Sequence, residues 1–210
     1  MAPSSAEDLL EQKRALRREM GQARAGLDAA DRRARSQAAC ARLLNLPEMA
    51  DLTGRMVAGY VALAERGELD PEPALAAIAA RGGRVAYPRV AAPASPLAFH
   101  LADRAELVSG RFGLSEPAPH APELAAAALD AVLVPGVAFD AAGRRLGLGG
   151  GFYDRTFGSP ALSGSQTRRP PLIGLCYDLQ VVAQCPSGPD DVAVDVVVTE
   201  SRVLRREPAR

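Results

Sequence analysis

The chain has 210 residues, 48% of them apolar, with 25 basic and 25 acidic side chains and a formal net charge of zero. That length supports one well-buried core. The charge balance excludes a dedicated nucleic-acid or anionic-membrane binder, which carries a basic excess or a long basic stripe.

Residues 6–25 read as a helix, because Leu9, Leu10, Leu16 and Met20 recur at roughly helical spacing among charges, with Gly26 as a stop. Asp28 is placed to cap a second helix over 29–44, with Asp31 three residues on. Strand and helix signals then alternate. A strand is predicted over 56–63, a helix over 71–80 with Pro71 in its first turn, and a short strand over 84–87 stopped by Pro88. A further strand covers 97–101, a loop 109–122, a short helix 122–129 and a buried strand 131–134. A helix is expected over 151–157, a polar loop over 159–171, and strands over 172–175 and 192–198. The charged tail after about 204 is expected to fray. This alternation implies a single α/β domain over 1–210. Its sheet is mainly parallel and flanked by helices on both faces, with an N-terminal helical pair over about 6–45. Ligands of such sheets bind beyond the carboxyl ends of the strands, where the loop after Val134 falls.

Cys40, Cys176 and Cys185 form no CxxC or His-Cys spacing for a metal and are odd in number, which points to a reduced, cytoplasmic protein. The N-terminus lacks the apolar core of a signal peptide, and no run of 18 uncharged apolar residues exists to span a membrane. No heptad pattern is evident, which favours a monomer. His100 and His120 are isolated and read as packing or surface residues.

The segment Leu133–Asp154, LVPGVAFDAAGRRLGLGGGFYD, carries the functional signal. An apolar strand delivers two arginines, then glycines whose main-chain N–H groups can turn toward an anion, then two aromatics and a carboxylate. Arg144 and Arg145 suit phosphate or carboxylate, Phe152 and Tyr153 a ring system, and Asp154 a metal or polar anchor. The loop is not a Walker A motif, since no Lys-Ser or Lys-Thr occurs. Nor is it the dinucleotide fingerprint, since Phe152 stands where the third glycine belongs.

Taken whole, the string resembles the signature of the 5-formyltetrahydrofolate cyclo-ligase family, also called methenyltetrahydrofolate synthetases. The matching residues are Pro135, Gly136, Phe139, Asp140, Gly143, Arg145, Leu146, Gly147, Gly149, Gly151, Phe152, Tyr153 and Asp154. Further matches lie at Lys13-Arg14-x-x-Arg17, Gly67 to Asp70, Gly83 to Pro88, Gly113 to Pro117 and Val194 to Val197, in the family's order. The resemblance implies a Rossmann-like three-layer fold of the NagB/RpiA/CoA-transferase kind. It implies an enzyme that uses ATP and Mg²⁺ to turn the small molecule 5-formyltetrahydrofolate into 5,10-methenyltetrahydrofolate.

By the same resemblance, Lys13, Arg17 and the run Arg145, Leu146, Gly147, Leu148, Gly149, Gly150, Gly151, Phe152 and Tyr153 bind ATP, with Arg145 and Tyr153 catalytic. Glu68, Leu63 and Tyr153 bind the folate, and Asp154 and Asp195 hold Mg²⁺. Plainer readings stand beside these: a solvated basic face for Lys13 and Arg17, a loop charge for Glu68, core packing for Leu63, a strand-end cap for Asp195. Leu148 stands where many members carry a basic or aromatic residue, Gly150 where Lys or Gly is common and Phe152 where Tyr is frequent, so phosphate contact at the first two must come from the backbone. A related enzyme of other specificity and a non-catalytic folate or nucleotide sensor are the alternative functions.

Overall fold

The computed structural model describes residues 6–158 and 169–207; the predicted loop over 159–171 lies largely outside them. Two helices open the chain, α1 (Ala6–Ala25) and α2 (Ala29–Leu43). The Asp28 carboxylate accepts from the Asp31 N–H at 2.8 Å, satisfying one of the donors that a helix start leaves free. There follow β1 (Met56–Ala58), α3 (Glu72–Ala80), β2 (Arg84–Val90), β3 (Leu97–Leu101), β4 (Val108–Ser109), β5 (Ser115–Glu116) and β6 (Glu123–Leu124). The second half contains β7 (Ala131–Val134), β8 (Ala138–Phe139), β9 (Arg145–Leu146), α4 (Phe152–Phe157), β10 (Leu172–Leu175), β11 (Val196–Val198) and β12 (Val203–Arg205).

Eight strands form one sheet in the order β12-β11-β10-β7-β1-β2-β3-β6. The run from β11 to β2 is parallel, and β12 at one edge and β3 and β6 at the other are antiparallel. Side chains alternate across it, as strand geometry requires. Val57, Leu133, Ile173 and Val196 face a core with Leu43 of α2 and Leu75 and Ile78 of α3. Ala58, Val132, Leu172 and Val197 face the opposite core, closed by Phe139 of the β8–β9 hairpin and Phe157 of α4. Burying one such large apolar side chain contributes about 1.5–3 kcal/mol. α1 packs elsewhere, Met20 meeting Val137, Ala138, Leu146 and Cys185.

Several predicted boundaries move. β1 stops at Ala58 rather than 63, although the Gly59 N–H still donates to the Ala86 carbonyl at 2.8 Å. β2 passes through Pro88 to Val90. Since the Ala86 carbonyl faces β1, the nitrogen two residues on faces the same side, where β1 has ended, so its missing N–H forfeits no ladder bond. The predicted helix over 122–129 is instead β6 and a 3-10 turn, Ala126–Ala128, because the edge of β3 offers backbone partners that outweigh alanine's helical preference. The strand expected over 192–198 shortens to β11. The unpredicted β12 pairs with it, and Arg205 is anchored by Glu48 at 2.6 Å.

Strand succession reverses between β1 and β7: the chain proceeds from β1 to β2 on one side and from β7 to β10 and β11 on the other. Reversals of this kind open a crevice at the carboxyl ends of the two strands. Among the described residues no helix is long and apolar enough to cross a membrane. The three cysteines are free and buried.

Candidate active site

A cavity of about 720 Å³ lies at that reversal. Its walls come from α1, the segment after β1, the Pro135–Gly136 turn after β7, and the glycine run before α4. The turn is held from below by Gln180, whose Nε2 donates to the Gly136 and Val137 carbonyls, both at 2.9 Å. The hairpin that follows is organised by Asp140, 1% exposed. Its carboxylate accepts from the Ala142, Arg144 and Cys185 N–H groups and from Arg144 Nε at 2.7 Å. Arg144 is thereby spent on Asp140 and is absent from the cavity wall. Arg145, one residue on, is buried at 8% exposure and enters the site. Its guanidinium donates to Asp154 at 3.0 Å and to the Pro135 carbonyl at 3.4 Å, and lies 5.4 Å from the Tyr153 ring centroid.

The glycine run is oriented by its carbonyls. Arg17 Nε donates to the Gly147 carbonyl at 2.9 Å, and Arg155 donates to the Gly150 carbonyl at 2.7 Å while packing on the Phe152 ring. No main-chain N–H from Gly147 to Gly151 donates to another described residue. Gly149 at φ 106° and Gly151 at φ 66° hold a backbone path that a side chain would strain. Five unspent donors with Lys13, Arg17 and Arg145 around them form a cradle for a polyanion. Lys13 and Arg17 are four residues apart on α1 and so project together. Leu148 is exposed and Leu146 buried, and both side chains are apolar, so only their main chain can meet an anion.

The segment after β1 supplies another part of the cavity wall. Leu63 and Glu68 line it, the Leu63 N–H donating to Glu68 Oε2 at 3.0 Å. Burial raises the Glu68 carboxyl, against the pull of that N–H and of Arg24 and Arg66. Burial also pushes the Tyr153 hydroxyl up, opposed by Arg145, so it stays protonated and can donate. Tyr60, Pro88, Val90, Leu97 and Leu114 complete an apolar lining around Leu63.

The expected carboxylate pair requires correction. Asp195 is not in the cavity wall. It stands at the amino end of β11, one oxygen accepting the Leu172 N–H at 2.8 Å and the other paired with Arg169 at 2.7 Å. It is the strand-end cap. The fold instead brings Asp191 to Asp154: the N–H of the next residue, Val192, donates to Asp154 Oδ1 at 3.1 Å. Asp191 lines the cavity, accepts from the Gly188 N–H at 2.6 Å and forms an ion pair with Lys13. No group of three or more metal-ligating side chains occurs among the described residues. Two neighbouring carboxylates beside an anion cradle fit the mode in which Mg²⁺ takes one or two carboxylates, phosphate oxygens and water. Asp191 was not singled out in the sequence because it follows a second Asp in a Gly- and Pro-rich turn. Only its pairing with Lys13, 178 residues away, marks it. His100 is buried against the Ala121 carbonyl at 2.8 Å and His120 is exposed, as packing and surface residues should be.

A model of the 5-formyltetrahydrofolate cyclo-ligase family matches residues 10–200. This chain belongs to that family. The 5-formyltetrahydrofolate cyclo-ligase of Escherichia coli K12 is 37% identical over 141 residues, 65% of this chain and 74% of that one. That of Mycolicibacterium smegmatis is 34% identical over 159 residues, 72% and 76%. The Aquifex aeolicus 5,10-methenyltetrahydrofolate synthetase superposes with a TM-score of 0.77 at 29% identity, covering 94% of each chain. The Mycoplasma pneumoniae synthetase shares the fold, with a TM-score of 0.70 at 22% identity over 90% of this chain. The cyclo-ligase signature therefore coincides with the cradle, the buried Arg145 and the Asp154 turn.

Proposed function

We propose that this chain converts 5-formyltetrahydrofolate into 5,10-methenyltetrahydrofolate with ATP, releasing ADP and phosphate. The observation that supports it best is one cavity with a cradle of unspent N–H donors and cations at one end and a desolvated carboxylate, Glu68, above an apolar floor at the other. A triphosphate suits the first end. A pterin, flat and edged with N–H donors, suits the second.

The formyl oxygen attacks the γ-phosphorus and ADP departs. N10 then attacks the formyl carbon, the ring closes, phosphate leaves with the former formyl oxygen, and the N10 proton passes to solvent. Such chemistry needs positioning and charge neutralisation rather than a covalent protein participant. Lys13, Arg17 and the N–H groups from Gly147 to Gly151 hold the phosphates. Arg145, fixed by Asp154 and Pro135, meets the transferring group, and Tyr153 offers a protonated hydroxyl and a ring face. Glu68 accepts from the pterin edge and Leu63 packs on its face. Magnesium, when bound with the nucleotide, neutralises phosphate charge, and Asp154 and Asp191 would hold it.

The purified chain, given 5-formyltetrahydrofolate, ATP and Mg²⁺, is expected to develop methenyl absorbance, and none when ATP is omitted. Absence of the methenyl product under these conditions overturns the reading. Turnover of other formamides in its place would identify an enzyme of different specificity, and ligand binding without any turnover a sensor.

A further inference from the structure

The geometry points to Arg24 as a positioning residue for folate recognition, acting through Glu68; this rests on the function proposed above. Lys13, Arg17, Met20 and Arg24 recur at intervals of four, three and four residues on α1, so they share one helix face. At about 1.5 Å per residue that face extends some 16 Å from the phosphate cradle toward the far end of the cavity. Lys13 and Arg17 line the cavity and Met20 packs in the core, leaving Arg24 as the last of the series.

Arg24 is 4% exposed, and its Nε and one terminal nitrogen have no hydrogen-bond partner. An arginine so placed is costly unless its charge is used, because burial removes its hydration and these two nitrogens gain no hydrogen bond in return. Its main chain abuts Gly67, whose Cα would place a Cβ 3.5 Å from the Arg24 Cβ and carbonyl oxygen. Glu68 is the next residue. Burial lowers the Arg24 guanidinium, and Glu68 is the largest influence opposing that. The guanidinium makes no direct ion pair with Glu68 and is not in the cavity wall. It acts as a fixed positive charge behind the carboxylate that keeps Glu68 ionised, and a pterin that covers the site and expels water makes Glu68 depend on it more.

Other groups also face Glu68. Glu65 and Arg66 flank it on its own turn, Tyr60 and Tyr153 approach across the cavity, and Tyr177 donates to its carbonyl at 3.3 Å. A second cavity of about 470 Å³ shares Glu68 and brings Arg32, Arg33, Asp70, Glu72 and Arg104 near. Arg66 is exposed and Arg104 is engaged by Glu72 at 3.5 Å, so both are screened or committed. Arg24 is the buried cation of the set.

The test compares Arg24→Met and Arg24→Lys with the parent chain in the methenyl assay from pH 5.5 to 8.5. Arg24→Met should raise KM for 5-formyltetrahydrofolate about tenfold near neutral pH, the loss of one interaction with a charged group. Its KM should climb at a higher pH than the parent's as pH falls, with kcat and the KM for ATP nearly unchanged. Arg24→Lys should restore the parent profile, because a point charge without a fork suffices. Should Arg24→Met leave the folate KM and its pH profile unchanged, or should Lys fail to rescue, the inference falls. A parallel loss of kcat, ATP affinity and thermal stability would also sink it, as a purely structural arginine predicts. Glu68→Gln separates the two levels: if it leaves the folate KM unaltered, the functional reading fails; if it raises KM while Arg24→Met does not, only the role of Arg24 fails.

Discussion

Arg145 and Asp154 lock each other in the wall of the cavity, guanidinium to carboxylate at 3.0 Å, with the Val192 N–H sharing the same carboxylate oxygen. One pair thus fastens three segments: the hairpin bearing Arg145, the start of α4, and the turn that delivers Asp191. Arg145 and the segments that bear Asp154 and Asp191, the two carboxylates proposed to hold Mg²⁺, are thereby joined at one contact.

That contact has a stability consequence. Arg145 is mostly buried, so truncating it leaves Asp154 with the Val192 N–H but without its cation. Arg145→Ala is expected to cost about 2–4 kcal/mol, and the double variant with Asp154→Ala less than the sum of the two single changes, because breaking a buried pair costs more than removing it. Urea denaturation of the four proteins measures the coupling. Additive losses would show that the pair is not energetically joined. Turnover should fall by about a hundredfold or more in Arg145→Ala, as for a lost donor to a developing charge.

Asp191 and Asp195 lie four residues apart and should behave oppositely. Asp191→Asn is expected to lower activity and raise the Mg²⁺ concentration for half-maximal rate, since it removes one of two carboxylates beside the cradle. Asp195→Asn should leave the Mg²⁺ dependence alone and lower stability by about 1–2 kcal/mol, through the Leu172 cap and Arg169. Magnesium titrations and thermal melts of both variants decide it, and a shifted Mg²⁺ requirement in Asp195→Asn would reverse the assignment.

The glycine run offers a backbone test. At φ 106°, Gly149 occupies a region costing a side chain about 1–3 kcal/mol, and an added Cβ would lie 3.4 Å from a terminal nitrogen of Arg17. Gly149→Ala should therefore raise the KM for ATP more than that for folate. Equal effects on both substrates would mean that the loop does not belong to the nucleotide end.

What could be read in advance divides along physical lines. The buried strand Ala131–Val134, both N-terminal helices and the Asp28 cap follow from local pattern and were legible. So was the glycine run, because its order of residue types is dense enough to carry a family signature. That Asp191 rather than Asp195 comes to Asp154 was not, since residues distant in sequence meet only through tertiary packing that no local pattern encodes. β6 and β12 escaped for the same reason: each is a short edge strand whose partner supplies the preference its own residues lack. Asp191 became visible only when Lys13 appeared beside it.

The thiols give an independent check on the fold. Burial pushes Cys40 up to about 11 and Cys185 up to about 12, and Cys176 well above its usual range. Since the thiolate is the reactive form, none should react rapidly with a disulfide reagent at pH 8 in the native state, and all three should react after unfolding. A fast native thiol would contradict the burial of the segment that bears it.

Protonation of Glu68 should act with opposite sign on binding and on stability. Its carboxyl is raised by burial, so the folded chain holds that proton more tightly than the unfolded chain does. The resulting stabilisation is fully present below the ordinary glutamate value and is lost as pH rises through the raised one. In the proposed function folate recognition uses the ionised form, so KM should rise as pH falls through the same interval in which the fold gains stability. Glu68→Gln removes both dependences: its melting temperature should equal or exceed the parent's at pH 7 and lose that advantage toward pH 4, while its folate KM is high and flat. Melts and initial rates on parent and variant across pH 4 to 8 read both signs, and a parent KM that improves on acidification would mean that Glu68 meets the ligand as an acid, donating a proton to it rather than accepting from its edge.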